Sequence, residues 1–218
     1  MQRIFLTALL AGIIAGLFVF GVQSVKLTPL ILQAEKYEDA APHHADQETH
    51  GWEPANGFER NAWRLVADLG VGVGFALLLV GAFSLTGQVM DAKRGMLWGL
   101  AGYAVFSLAP GFGLPPELPT TLAADLSARQ IWWLATAAAT AGGLALIVFK
   151  RQPLFKVIGV VLLAAPHAVG APKTPLGGMV PTELNAQFAA ASLITMALFW
   201  IVLGSVSGWL YGRQSASA

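Results

Sequence analysis

Three of the chain's four histidines fall within one eight-residue window, and two acids fall among them. The segment reads Glu35-Lys36-Tyr37-Glu38-Asp39, then His43-His44-Ala45-Asp46-Gln47-Glu48-Thr49-His50. His43, His44, His50, Asp46 and Glu48 are five potential metal ligands, and Glu35 precedes them as a sixth. From Glu35 to Glu59 there are seven acids and one base, Lys36, a local charge of −6 with histidines neutral. Such a segment concentrates divalent cations through its field. Imidazole adds a preference for late first-row metals over Ca²⁺ and Mg²⁺. The chain has no cysteine, which excludes disulfides, thiolate metal sites and iron–sulfur clusters together. Loops rarely preorganise ligands, so the segment reads as a flexible antenna rather than a rigid cage. The plain alternative is a solvated acidic loop whose histidines are incidental.

The elements around it are of one kind. Six uncharged apolar stretches cover residues 4–25, 69–90, 95–116, 130–149, 157–172 and 184–212. A bilayer core about 30 Å thick takes about 20 apolar residues per helix. With 218 residues, 56% hydrophobic and 11% charged, the chain lacks the polar faces a soluble domain needs. The expectation is a single all-α transmembrane domain, residues 1–218, of about six helices arranged as three hairpins. The acid/histidine loop spans 26–62. The fifth stretch is short and framed by Pro153, Pro166 and Pro172, so it either crosses or re-enters, leaving five full crossings. Arg3 and the apolar run after it resemble a signal peptide, but the run is long and lacks a clean cleavage site, so it is expected to remain as the first helix. A net charge of +1 and the absence of a basic, aromatic-interleaved patch give no sign of nucleic-acid binding.

Sidedness follows from Lys93 and Arg94 in the second connection and Lys150, Arg151 and Lys156 in the fourth. By the positive-inside rule both connections are cytoplasmic, both termini are too, and the acid/histidine loop is external. Internal similarity supports the hairpins: Ala109-Pro110-Gly111 before Pro116-Glu117-Leu118, and Ala165-Pro166-His167 before Pro181-Thr182-Glu183-Leu184. Repeats of this kind place transporter sites at their interfaces.

Four ionisable residues lie at or near predicted membrane boundaries. His167 follows Pro166, where burial is costly and a role as a ligand competes with simple hydrogen bonding to a helix-end carbonyl. Glu117 and Glu183 each follow a proline closely and are expected at the outer mouth, or else are helix N-terminal acids favoured by the dipole. Asp68, one turn after Arg64, is expected to pair with it. The spacings Gly12/Gly16, Gly70/Gly74, Gly95/Gly99 and Gly204/Gly208 predict close helix approach. Most of the seven tryptophans fall near span ends, as interface anchors do. Gly70-Val71-Gly72-Val73-Gly74 lacks the lysine of a phosphate loop. Gly204-Ser205-Val206-Ser207-Gly208 lies within a helix and cannot form a nucleophile elbow.

Taken end to end, these motifs resemble the CbtA family of predicted cobalt transporter subunits in bacterial membranes. The likeness rests on Thr28-Pro29-Leu30-Ile31-Leu32-Gln33-Ala34-Glu35, the histidine loop, Gly57-Phe58-Glu59-Arg60, Leu97-Trp98-Gly99-Leu100-Ala101-Gly102 and Leu114-Pro115-Pro116-Glu117-Leu118-Pro119. Ala128-Arg129-Gln130-Ile131-Trp132-Trp133, Pro166-His167-Ala168-Val169-Gly170-Ala171-Pro172 and Val180-Pro181-Thr182-Glu183-Leu184 complete it. The resemblance implies cobalt uptake linked to cobalamin supply, with a small single-span, histidine-containing partner, CbtB. The expected cargo is Co²⁺, with Ni²⁺ and Zn²⁺ not separable on ligand type, and no tightly bound cofactor or enzymatic activity is expected. The competing readings are a non-transporting metal sensor or scaffold, and an intramembrane haem protein. The last would need two histidines at membrane depth, where only His167 qualifies.

Overall fold

The computed structural model describes residues 2–39, 54–119, 121–173 and 180–216, all of it helix, turn and connection. In chain order the helices are α1 (Gln2–Lys26), α2 (Thr28–Asp39), α3 (Phe58–Thr86), α4 (Ala92–Tyr103), a π-helical turn (Ala104–Leu108), α5 (Ala109–Gly113), α6 (Leu126–Phe149), α7 (Pro153–Val169) and α8 (Thr182–Ala216). The expected all-α membrane protein is what is found. Five helices are long and apolar enough to cross a bilayer: α1, α3, the continuous run Ala92–Gly113, α6 and α8. α7 has 17 residues, about 26 Å at 1.5 Å per residue, somewhat short of a hydrocarbon core of about 30 Å. Its apolar side chains Leu154, Val157, Val160 and Val161 are nevertheless exposed, a surface that suits lipid rather than water.

Helix ends follow local chemistry. α1 breaks at Leu27, where Pro29 has no N–H to continue the ladder and Leu30 N instead donates to Leu27 O at 3.0 Å. α3 stops at Gly87, whose φ of 61° is the left-handed conformation that glycine adopts without strain. α6 starts at Asp125, whose side chain accepts from Ala128 N at 2.9 Å as an N-cap. Within the 26–62 segment, 28–39 is helical and α3 already begins at Phe58. Residues 40–53, which include His43, His44, Asp46, Glu48 and His50, lie outside the described residues.

The chain divides into two compact units, Met1–Gly99 with Leu198–Ala218, and Leu100–Ala197. In the first unit, helices meet at bare backbone. A Cβ on Gly12 would lie 2.5 Å from Val73 N, and one on Gly16 would lie 2.8 Å from Asp68 O. Gly95 and Gly208 are locked together in the same way, since a Cβ on either would lie 2.7 Å from the other's Cα. Arg3 donates to Tyr211 O at 2.6 Å, joining the first and last helices.

Two expectations are corrected here. On α3 the packed glycine is Gly72, while Gly70 and Gly74 face open space. The buried face of α3 runs through Gly72, Ala76, Leu79, Val80 and Phe83, and at 100° per residue Gly70 and Gly74 fall off it. Trp200 is buried to 2% exposure against Phe75 at 4.8 Å and Phe199 at 5.8 Å. It belongs to the core, not to an interfacial belt.

In the second unit α6 packs on α7 through Gly143 and Gly159, where a Cβ on either would lie 2.7 Å from the other's carbonyl oxygen.

Filling a glycine seam should therefore unfold the protein without touching any polar group. Gly204→Leu is expected to lower the thermal midpoint of the detergent-solubilised protein markedly, as overpacking costs about 1–3 kcal/mol or more. Gly81→Ala, in open space, should leave it unchanged or higher; equal effects would show that the seams carry no packing energy. Reporter fusions at Gln152 and Lys173 decide whether α7 crosses. Opposite sides are expected, and identical sidedness would make α7 re-entrant.

Candidate metal-entry site

α7 carries a proline in its last turn, Pro166, and ends at Gly170, whose φ is 88°. That turn holds His167 against the first third of α6. Trp132 Nε1 donates to Pro166 O at 3.3 Å, and the same carbonyl accepts from Gly170 N at 3.0 Å. The His167 ring stands edge-on to Trp132, with centroids 6.0 Å apart, and to Phe112 of α5 at 6.3 Å. Gly113 completes the wedge, because a Cβ there would lie 2.7 Å from Trp132 Cζ2 and 3.0 Å from Ala171 Cβ. A cavity of about 410 Å³ opens here, lined by Phe112, Gly113, Trp132, His167, Ala171, Pro172 and Lys173.

Chemically this cavity offers one imidazole, one ammonium, aromatic rings and no carboxylate. The described residues contain no group of three His, Asp or Glu side chains placed to hold an ion. An imidazole alone, with water completing the coordination shell, ligates a transition metal weakly. Weak ligation suits passage, since a conducted ion must also leave.

The acids expected beside His167 are elsewhere. Glu117 pairs with Arg129, Oε2 to NH2 at 3.1 Å, both side chains partly buried. Glu183 is exposed in the first turn of α8, where the helix dipole favours it. Thr121 Oγ1 reaches Asn185 Oδ1 at 3.5 Å, so the connection after Glu117 and the start of α8 are neighbours. Neither acid lines the cavity. Glu35 is also engaged, its Oε1 2.5 Å from Arg60 NH2. Arg64 gives its donors to Ser24 and Thr28 hydroxyls and stacks on Phe20. Asp68 accepts from Gln23 Nε2 at 3.4 Å, and Arg64 acts on it through its charge while giving its hydrogen bonds to α1 and α2. Asp125 is held below the usual carboxylate range by the Ser127 hydroxyl and then by the Ala128 N–H.

Sequence reasoning singled out His167 but took Trp132 for an interfacial anchor and passed over Phe112, Gly113 and Lys173. The usable signal was the pair of proline–glycine breaks, Pro110 to Gly113 and Pro166 to Gly170, each ending a helix at the same cavity.

This geometry is that of a multi-pass helical membrane protein with a histidine cavity at a broken helix end. The family model described as "Probable cobalt transporter subunit (CbtA)" matches residues 1–212, and the chain belongs to that family. Comparison with curated proteins and with solved structures finds no match.

The Glu117–Arg129 pair should act as structure. A double-mutant cycle of Glu117→Gln and Arg129→Gln in thermal unfolding is expected to return a coupling of about 1 kcal/mol. Stabilisation by added Co²⁺ should be the same in Glu117→Gln as in the unaltered chain. Loss of that stabilisation would make Glu117 a ligand.

Proposed function

We propose that the chain is the membrane subunit of a divalent transition-metal uptake system, with Co²⁺ as cargo. The observation that carries this is the family match over nearly the whole chain. The reading is further supported by five span-length helices and by an imidazole held in a cavity at a proline-broken helix end.

In this mechanism the external acid/histidine segment, His43, His44, Asp46, Glu48 and His50, gathers cations from dilute solution. His167 then takes the ion at the mouth of its own helical unit, where the exposed Glu183 adds negative potential, while Glu117 and Glu35 are neutralised by Arg129 and Arg60. No nucleotide-binding motif is present in the sequence, so inward movement draws on an ion gradient, the membrane potential or another protein; the potential alone contributes about 2.3 kcal/mol per charge per 100 mV. A second subunit is implied by the family description, and a small single-span, histidine-containing CbtB-like protein is the proposed partner. The proposed setting is the bacterial inner membrane with both termini cytoplasmic, which requires α7 to cross as a sixth span.

Uptake of radiolabelled Co²⁺ by cells expressing the chain and its partner separates the two sites. Replacing His43, His44 and His50 with Ala should raise the concentration for half-maximal uptake several-fold while leaving the maximal rate nearly unchanged. His167→Ala should lose most uptake at every concentration while still reaching the membrane. Full uptake by His167→Ala would remove that residue from the route. Loss of the maximal rate in the triple variant would move translocation into the loop.

A further inference from the structure

The buried stripe of α6 runs through Trp132, Thr136, Thr140 and Gly143. Thr136 and Thr140 are 0% and 2% exposed, yet neither Oγ1 has a hydrogen-bond partner among the described residues. Ser192 and Ser207, buried in α8, are unpartnered in the same way, whereas several other hydroxyls turn back on their own helix. Ser24 donates to Phe20 O at 2.7 Å, Ser84 to Gly81 O at 2.7 Å and Thr86 to Phe83 O at 3.0 Å. Each of those returns to its own helix, as an isolated hydroxyl in lipid must. Two buried, unpaired hydroxyls one turn apart on a single face therefore need another partner.

The elements packed on α6 contain broken backbone. α6 packs on α7 and on the π-helical turn and α5. Pro166 has no N–H, which removes the helical donor for the Leu162 carbonyl. Pro110 follows the π-helical turn, where Ala109 N donates to Ala104 O, and in that register it leaves Val105 O without a donor. Such broken backbone persists at membrane depth where it is buried in protein or lines a water-filled cavity, and π-helical turns concentrate at functional positions. Trp132 stands at the outer end of the stripe and forms one wall of the His167 cavity. Thr136 and Thr140 follow it about 6 and 12 Å further along the helix axis. Its indole is fixed by the Pro166 carbonyl and by contact with Gly113.

We propose that Thr136 and Thr140, with the carbonyls freed by Pro110 and Pro166, line a hydrated track for a divalent cation leading inward from the His167 cavity, with Trp132 as its outer gate. This assignment rests on the uptake function proposed above and names its route. The ligand set is neutral oxygen, which can replace or hydrogen-bond the inner water shell of a cation without trapping it. Hydroxyls that both donate and accept suit an ion moving with part of its water.

The chain lacks cysteine, so single cysteines can be placed in the otherwise unaltered protein and probed in membranes with its partner present. Thr136→Cys and Thr140→Cys should react with the cationic reagent methanethiosulfonate ethylammonium at least about ten-fold faster than Leu134→Cys, because Leu134 is 61% exposed on the outer face of α6 and a charged reagent avoids lipid. Trp132→Ala should accelerate Thr140→Cys several-fold, and millimolar Co²⁺ should slow both threonine positions. Trp132→Phe, which loses the bond to Pro166 O and the ring atoms packed on Gly113 but keeps an aromatic ring, serves if the alanine variant does not fold. Reaction no faster than Leu134→Cys in either background would mean dry packing and would overturn the track. Fast reaction unaffected by Co²⁺ would overturn the cation assignment. Fast, cobalt-protected labelling in a protein that takes up no Co²⁺ would leave the track standing and remove the transport reading. Thr136→Val gives an independent check: uptake should fall while thermal stability holds or rises, and unchanged uptake would count against the track.

Discussion

Helices in lipid have little hydrophobic reason to associate, because the acyl chains are as apolar as leucine; they hold together where their backbones can touch. The fold depends on this constraint. Gly12, Gly16 and Gly72 bring α1 onto α3, Gly95 and Gly208 bring α4 onto the end of α8, and Gly143 and Gly159 bring α6 onto α7. At each of these places a single methyl group would overlap a neighbouring backbone atom. Large aromatics then fill the space beside the seams, as Trp200 does between Phe75 and Phe199. Long polar side chains such as Arg3 and Arg64 tie helix ends to carbonyls and hydroxyls.

The second physical theme is the cost of leaving a backbone or hydroxyl group unpaired away from water. Long unbroken helices avoid most of that cost, with isolated exceptions such as Ser207 Oγ and Asp68 Oδ2 of the first unit. The Leu100–Ala197 unit concentrates several departures. It contains a π-helical turn, Pro110 and Pro166 within helices, and the unpaired hydroxyls of Thr136 and Thr140. Trp132, a wall of the His167 cavity, lies on the same α6 stripe as the two threonines, and His167 itself follows Pro166.

Much of the architecture was legible in the sequence because it follows from long apolar runs and glycine spacing. The five long helices, the short and proline-marked α7, and the glycine seams of α1, α4 and α8 all came from those signals. The miss on α3 shows their limit. Three glycines at 70, 72 and 74 cannot all face one neighbour, and only the burial of Gly72, Ala76 and Phe83 decides which does. Side-chain partners were harder. Arg64 had hydroxyls from two other helices within reach, and nothing in the spacing of Arg64 and Asp68 revealed Ser24 and Thr28. His167 stood out as a histidine at a membrane boundary, but its surroundings did not, since Trp132 and Gly113 lie far away in sequence. The prolines near Glu117 and Glu183 pointed to helix starts, and an Arg129 twelve residues on from Glu117 gave no sign that it would claim that acid. Thr136 and Thr140 were visible as an i,i+4 pair of hydroxyls inside an apolar span, a signal whose meaning depends on the absence of a partner and so required the structure.

The central claim is that this chain moves a divalent cation across a membrane rather than only binding it. Purified chain reconstituted with its single-span partner into vesicles holding a cobalt-quenched dye tests it most directly. With an inside-negative potential imposed, the account predicts quenching that grows with the potential and is absent from vesicles without the protein. Co²⁺ binding to the vesicles with no quenching at any potential would contradict it and leave a metal-binding sensor or scaffold.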